Sequence, residues 1–237
     1  MSSRQPRLNL TLDVFTLKRL PASALLTITP PELIAAILDE FAGQQDAAAS
    51  AVAAVQGLDP GQYLRLEFLS DAPADYRLLH FDTQRPLDLL LPLGEQLRPN
   101  DHLTLIEHEV PLPEGTFQPS VPAYLRELGK GRVFRLAWMP TIIGRPDPDQ
   151  PHNNRIAVDL AAHPTGQRVS RRHARITEAN GTFYVEALSP NPTLVKRGQS
   201  VPALVGEKGH ELHDGDIIVL ERSEIELKFI LRPKATP

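Results

Sequence analysis

The sequence predicts a mainly β protein in two parts, an α+β domain followed by a C-terminal β-sandwich. Three observations lead there. The first hundred residues carry period-two segments interrupted by one stretch of helical period. A proline-rich run follows, and from Arg132 onward almost every segment is short, strand-like and bounded by Pro, Gly, Asn-Gly or Asp-Gly. At 237 residues the chain exceeds a typical domain of roughly 150 residues, so two units over 1–109 and 132–237, joined by a linker over 110–131, are expected.

In the first unit Leu8, Leu10, Leu12 and Val14 alternate with Asn9, Thr11 and Asp13, the signature of a half-buried strand. Residues 24–29 repeat it with Leu26 and Ile28. The period changes in "TPPELIAAILDEF", where Leu33, Ile34, Ile37, Leu38 and Phe41 share one helical face. Thr29 and Glu32 have capping-box spacing there, and Pro30 stands at the first helical position. An Ala-rich stretch over 44–56 reads as a helical extension or a loop. Three further strands are expected at 63–69, 77–82 and 101–109, with a turn through "RPLDLL" between the last two. The order, and "GQYLRLEFL…LRPNDHLTLIE" in particular, resembles the ubiquitin-like β-grasp of small bacterial proteins associated with type VII-like secretion, over residues 8–109. That resemblance implies an interaction surface rather than a chemical site, and so a docking module with a secretion-system component as a possible partner. Next, "VPLPEGTFQPSVP" reads as a semi-extended linker and "AYLRELGKG" as a helical turn.

Composition narrows the chemistry. The chain has no cysteine, which excludes disulfides, thiolate catalysis and cysteine-ligated zinc. Its net charge of −4 is unevenly placed: residues 1–110 carry 8 Lys+Arg against 15 Asp+Glu, a balance of −7, and residues 111–237 carry 17 against 14, a balance of +3. An anionic partner therefore belongs to the second half, although the charge there is too modest for general nucleic-acid binding. The opening "MSSRQPRLNLTLDVF" alternates, unlike a signal peptide. The longest apolar-looking stretch, 47–55, falls well short of the ~20 residues of a membrane span. A cytoplasmic protein without a membrane span is expected.

Within the second half, loops at strand ends gather groups suited to a phosphate: a guanidinium, hydroxyls and backbone donors. Arg145 follows Gly144 directly after a strand in "IIGR". Ser170, Arg171 and Arg172 precede a strand in "VSRRHARI", and Asn191 and Thr193 occupy a third loop in "SPNPT". Gly-Arg, then Ser-x-x-His about 25 residues on, then Asn some 18 residues further, with a closing "LHDGDIIVL", resembles the forkhead-associated (FHA) domain over roughly 132–232. Members of that family recognise phosphothreonine in partner proteins. The resemblance implies that Arg145 and Ser170 bind phosphate with Arg171 as a third contact. It further implies that Asn191 and Thr193 face the bound peptide, and that Gly144 and His173 hold the loops in shape. Asn191 is followed by Pro192 where the family usually has glycine.

Other readings use the same residues. Ser170 and His173 could form a nucleophile–base pair, but no orienting acid or oxyanion donor is marked, so no enzyme is expected. His210 and His213 in "HELH" lack the spacing of the helical zinc motif, so neither a metal nor another cofactor is expected. Arg168, Arg171, Arg172 and Arg175 could serve a nucleic acid, although no basic stripe extends them. The chain is expected to be a non-catalytic adaptor that binds threonine-phosphorylated proteins, the products of a serine/threonine kinase. The alternatives are a basic-loop nucleic-acid binder and a secretion-system component whose sandwich reads no phosphate. Thr116 in "PEGTFQP" adds one further possibility: once phosphorylated, it could occupy the chain's own pocket.

Overall fold

The computed structural model describes residues 6–42, 66–147, 149 and 155–232. The chain divides into two compact units, 1–109 and 110–237. No described helix is long and apolar enough to cross a membrane.

The first unit holds strands β1 (Arg7–Val14), β2 (Leu17–Leu25), β3 (Tyr76–His80) and β4 (His102–Glu107), with helices α1 (Pro30–Ala42) and α2 (Leu93–Gln96). The sheet order is β2-β1-β4-β3. The inner pair β1 and β4 is parallel, and both outer pairs are antiparallel. Alternation along β1 and β4 buries Leu8, Leu10, Leu12, Leu103 and Leu105, together with Ile34, Ile37 and Leu38 from one face of α1. The start of α1 is fixed as its spacing predicts: the Thr29 N–H and hydroxyl donate to the Glu32 carboxylate at 2.7 and 2.8 Å. These two bonds hold the Glu32 carboxyl below its ordinary range.

Two predicted strands differ. The second runs over Leu17–Leu25 rather than 24–29, because only two residues of this edge strand are buried and its sequence, LKRLPASAL, carries little alternation to read. Of the strand expected at 63–69, residues 66–68 form a turn in which the Leu69 N–H donates to the Leu66 carbonyl at 2.9 Å. Leu66, Phe68 and Leu69 are all buried there, so their apolar character reflects packing of a turn rather than a pleat. Residues 63–65 and the Ala-rich stretch 44–56 lie outside the described residues.

The second unit is a sandwich of two sheets. One contains β13 (His210–Leu212), β10 (Thr182–Ala187), β9 (Arg172–Ala179), β7 (Thr141–Gly144) and β8 (Ile156–Asp159), in that order. The other contains β12 (Ala203–Leu204), β11 (Thr193–Lys196), β14 (Ile217–Leu220), β15 (Ile225–Leu231), β5 (Ala123–Glu127) and β6 (Val133–Arg135). Ile143, Ala174, Ile176 and Val185 of the first sheet share one buried core with Leu125, Ile218, Leu227 and Phe229 of the second.

The linker expected over 110–131 is shortened by this arrangement. "AYLRE" is strand β5 rather than a helical turn, paired with β15 on one side and β6 on the other. Four of its five residues are buried, which removes the alternation that marks a half-exposed strand. Phe117 and Met139 also exchange backbone hydrogen bonds, at 2.9 and 2.7 Å. Thr116 lies beside this bridge with its hydroxyl on the Pro113 carbonyl at 2.6 Å.

Candidate functional site

Strand pairing assembles the site. Strands β7 and β9 run antiparallel, with Ile143 opposite Ala174 and, after a bulge, Gly144 opposite Arg172. This register brings two motifs 25 residues apart in the chain against each other. The Arg145 N–H donates to the Arg171 carbonyl at 3.2 Å, and the Gly144 carbonyl accepts from Leu160 N–H at 2.9 Å. A Cβ on residue 144 would overlap the Arg171 carbonyl and lie 3.1 Å from the Ser170 carbonyl oxygen. Glycine is thus required because another backbone occupies the space of a side chain.

Arg145 is half-buried, and its Nε donates to the Val169 carbonyl at 3.0 Å. That bond fixes the guanidinium through a neutral acceptor and leaves both Nη groups to face an oxyanion. Among the described residues no carboxylate forms an ion pair with it. The Ser170 hydroxyl accepts from Asn191 Nδ2 at 2.8 Å. A hydroxyl accepting in this way still has its own hydrogen to donate, which suits it to a phosphate oxygen.

His173 is fully buried. Its Nδ1 accepts from the Ser170 N–H at 3.3 Å, so the ring's hydrogen sits on Nε2. Burial lowers the imidazole pKa from its ordinary value of 6.5, opposed by a contact with the Pro192 backbone, and the ring is neutral at pH 7. His173 therefore acts on the backbone of residue 170 and not on its hydroxyl, and the geometry lacks the base-to-hydroxyl contact of a nucleophilic pair.

Two expected residues have altered roles. Thr193 is fully buried at the start of β11, where its backbone pairs with Leu220 and its carbonyl accepts from the Val205 N–H at 2.9 Å. It does not face a bound peptide, because the chain has already turned inward one residue after Pro192. Arg171 is exposed, and its Nε, not its Nη groups, pairs with the buried Asp147 carboxylate at 2.9 Å. Asp147 was not legible as a partner, since the loop "RPDPD" offers two aspartates, each beside a proline, and no periodicity to choose between them.

Arg222 was also missed. Its Nη1 donates to Asn191 Oδ1 at 2.8 Å, so Arg222, Asn191 and Ser170 form a continuous hydrogen-bonded chain. Arg222 lies in the short turn Glu221–Ser223, which is tied to the rest of the site twice. The Glu221 N–H donates to the Pro192 carbonyl at 3.2 Å, and the Thr165 hydroxyl donates to the Ser223 carbonyl at 2.6 Å. Only the meeting of β11 and β14 in one sheet brings this turn to Asn191, and no local motif announces it.

Two other clusters of charged side chains pair among themselves. Arg175 pairs with Glu186, and His213 pairs with Glu211 at 3.2 Å. Among the described residues no group of three His, Cys, Asp or Glu side chains is arranged to hold a metal.

The second unit is thus a two-sheet sandwich whose strand-end loops carry a guanidinium with no carboxylate partner among the described residues and, close by in the fold, a serine hydroxyl. Residues 141–221 match the FHA domain family model, and this part of the chain is an FHA domain. No curated protein matches the chain. Similar solved structures include Mycobacterium tuberculosis EmbR in complex with a low-affinity phosphopeptide, at 24% identity, covering 49% of this chain and 26% of that one, with a TM-score of 0.35. The FHA domain of FhaA complexed with the intracellular domain of Rv3910 is 27% identical over 45% of this chain and 98% of that one, TM-score 0.33. The FHA domain of an Arabidopsis thaliana protein is 18% identical over 53% of this chain and 99% of that one, TM-score 0.37. The chain thus spans about a quarter of the EmbR chain and nearly all of the two isolated domains.

Proposed function

We propose that this protein is a non-catalytic signalling adaptor whose FHA domain binds phosphothreonine-containing protein segments. One observation carries the reading: Arg145 is held by the carbonyl of Val169, the residue before Ser170, and among the described residues no carboxylate pairs with it. Arg145 and Ser170 would take the phosphate, Arg171 would reach it through its Nη groups, and Asn191 would orient Ser170 and meet the peptide backbone. Gly144 and His173 shape the loops. Against the nucleic-acid reading, Arg171 and Arg175 both face carboxylates, which breaks the continuity of a basic track.

The first unit serves in this proposal as a docking module. Its order β2-β1-β4-β3, with a parallel inner pair and a helix after the first hairpin, supports the β-grasp reading, and with it a secretion-system component as a candidate partner. The test is binding of phosphopeptide libraries by the full chain. Enrichment of phosphothreonine over phosphoserine and over unmodified threonine is expected, and indifference to phosphorylation would refute the reading.

A further inference from the structure

A buried carboxylate in the second unit stands where the core would accept an apolar side chain. Strand β5 directs Ala123 and Leu125 into the core, and Glu127, two positions on, shares their face opposite Leu227. Its side chain is 5% exposed, and its Oε1 lies 3.2 Å from His163 Nε2. The Nδ1 of the same ring accepts from the Thr165 N–H at 3.1 Å, so Nε2 carries hydrogen toward the carboxylate. Thr165 in turn donates from its hydroxyl to the Ser223 carbonyl at 2.6 Å. The segment 160–169, which leads from β8 to Ser170, is thereby tied twice to the opposite sheet, at the end of β5 and at the turn between β14 and β15.

Resting on the phosphothreonine reading, we infer that Glu127, His163 and Thr165 are positioning residues that set the place of Val169 and Ser170, and through them the phosphate pocket. The segment transmits position because it is hydrogen-bonded to itself. The Gly166 N–H donates to the His163 carbonyl at 2.8 Å and the Val169 N–H to the Gly166 carbonyl at 2.9 Å, and the Val169 carbonyl holds Arg145. Gly166 allows no slack, since a Cβ there would overlap the Leu160 carbonyl oxygen. Stability does not explain the buried pair. Desolvation of a carboxylate offsets its attraction to a partner, and an apolar pair of similar volume serves a core as well or better. What the polar pair adds is a contact with one geometry, which holds a site-bearing loop in one place.

The experiment measures, in the full chain, the melting temperature and the ratio of affinities for one threonine peptide in phosphorylated and plain form. The ratio is read well below every melting temperature, so loss of fold does not lower it. The double variant Glu127→Met with His163→Leu is expected to melt at or above the wild-type temperature while its ratio falls about three- to tenfold, the worth of one hydrogen bond. Thr165→Val cuts the second tie and leaves no buried charge behind. Its ratio should fall in the same sense, which keeps the inference open to refutation if the double variant does not fold. Glu127→Gln retains an acceptor for Nε2 and should keep the wild-type ratio. A purely structural pair predicts the reverse for the double variant, a lower melting temperature with an unchanged ratio, and that result would overturn the inference. So would an unchanged ratio in Thr165→Val, or a loss in Glu127→Gln as large as in the double variant. A wild-type chain indifferent to phosphorylation would overturn the underlying reading and this inference together.

Discussion

Arg197 and Arg145 belong to the same sandwich and meet different acceptors. Arg197 closes a two-point contact on Asp216, Nε to Oδ1 at 2.9 Å and Nη2 to Oδ2 at 2.8 Å, and its pKa is raised chiefly by those side-chain bonds. Burial disfavours the Asp216 charge, but Arg197 and the His213 N–H outweigh it and hold the carboxyl below its ordinary 3.8. Arg145 is fixed with similar care, yet by a backbone carbonyl that cancels none of its charge. The first arginine contributes to the fold, and the proposed function assigns the second to a ligand. Residue type does not separate them; the charge of the acceptor does.

The comparison breaks first at Gly144. Gly144→Ala inserts a Cβ into the backbone of residues 170 and 171, so it should destabilise the domain by about 2–3 kcal/mol and also remove phosphopeptide binding, because Ser170 must move. Denaturant titration and binding on the same sample check both. Asp216→Ala is the complementary case, with a loss of about 2 kcal/mol of stability and unchanged peptide affinity. Because the folded-state pKa of Asp216 is depressed, its contribution is present above pH 3.8 and lost as pH falls through the lower folded value. A thermal-melt series in acid should show that loss in wild type and not in the variant.

The next effect comes from His173. Its folded pKa lies below 6.5, so the unfolded chain takes up the proton first. Stability is full above pH 6.5 and falls as pH drops below it, by at most about 1.4 kcal/mol per unit. Melts of wild type and His173→Asn between pH 7.5 and 5.5 isolate this slope, which should be shallower in the variant. The smallest effect is Arg171→Ala, expected to weaken phosphopeptide binding about two- to fivefold without altering stability, since its exposed guanidinium is shared with Asp147.

What the sequence made legible follows from the same physics. Strand β1, helix α1 and strands β3 and β4 were readable because one face is buried and one is wet, which prints a period. Strand β5 was not, because neighbours on both sides and burial of Ala123, Tyr124 and Leu125 erase the alternation. Of the residues proposed for the site, Gly144, Arg145, Ser170, His173 and Asn191 come from a motif. Arg222 and Asp147 reach it by sheet pairing and loop closure between distant segments, which local pattern does not encode. Thr193 shows the converse: its place beside Asn191 in the chain suggested a role that the inward turn of β11 removes.

The central claim is that Arg145 carries a charge reserved for a phosphate outside the chain. Calorimetric titration of one threonine peptide, phosphorylated and plain, into wild type and Arg145→Ala tests it directly. One charge-assisted hydrogen bond is worth about 1.5–3 kcal/mol, so wild type should favour the phosphorylated peptide at least tenfold, which needs only ~1.4 kcal/mol. Arg145→Ala should lose that preference while its melting temperature stays within a few degrees of wild type. Equal affinity of wild type for both peptides, or an Arg145→Ala protein that still prefers the phosphorylated one, would contradict the account.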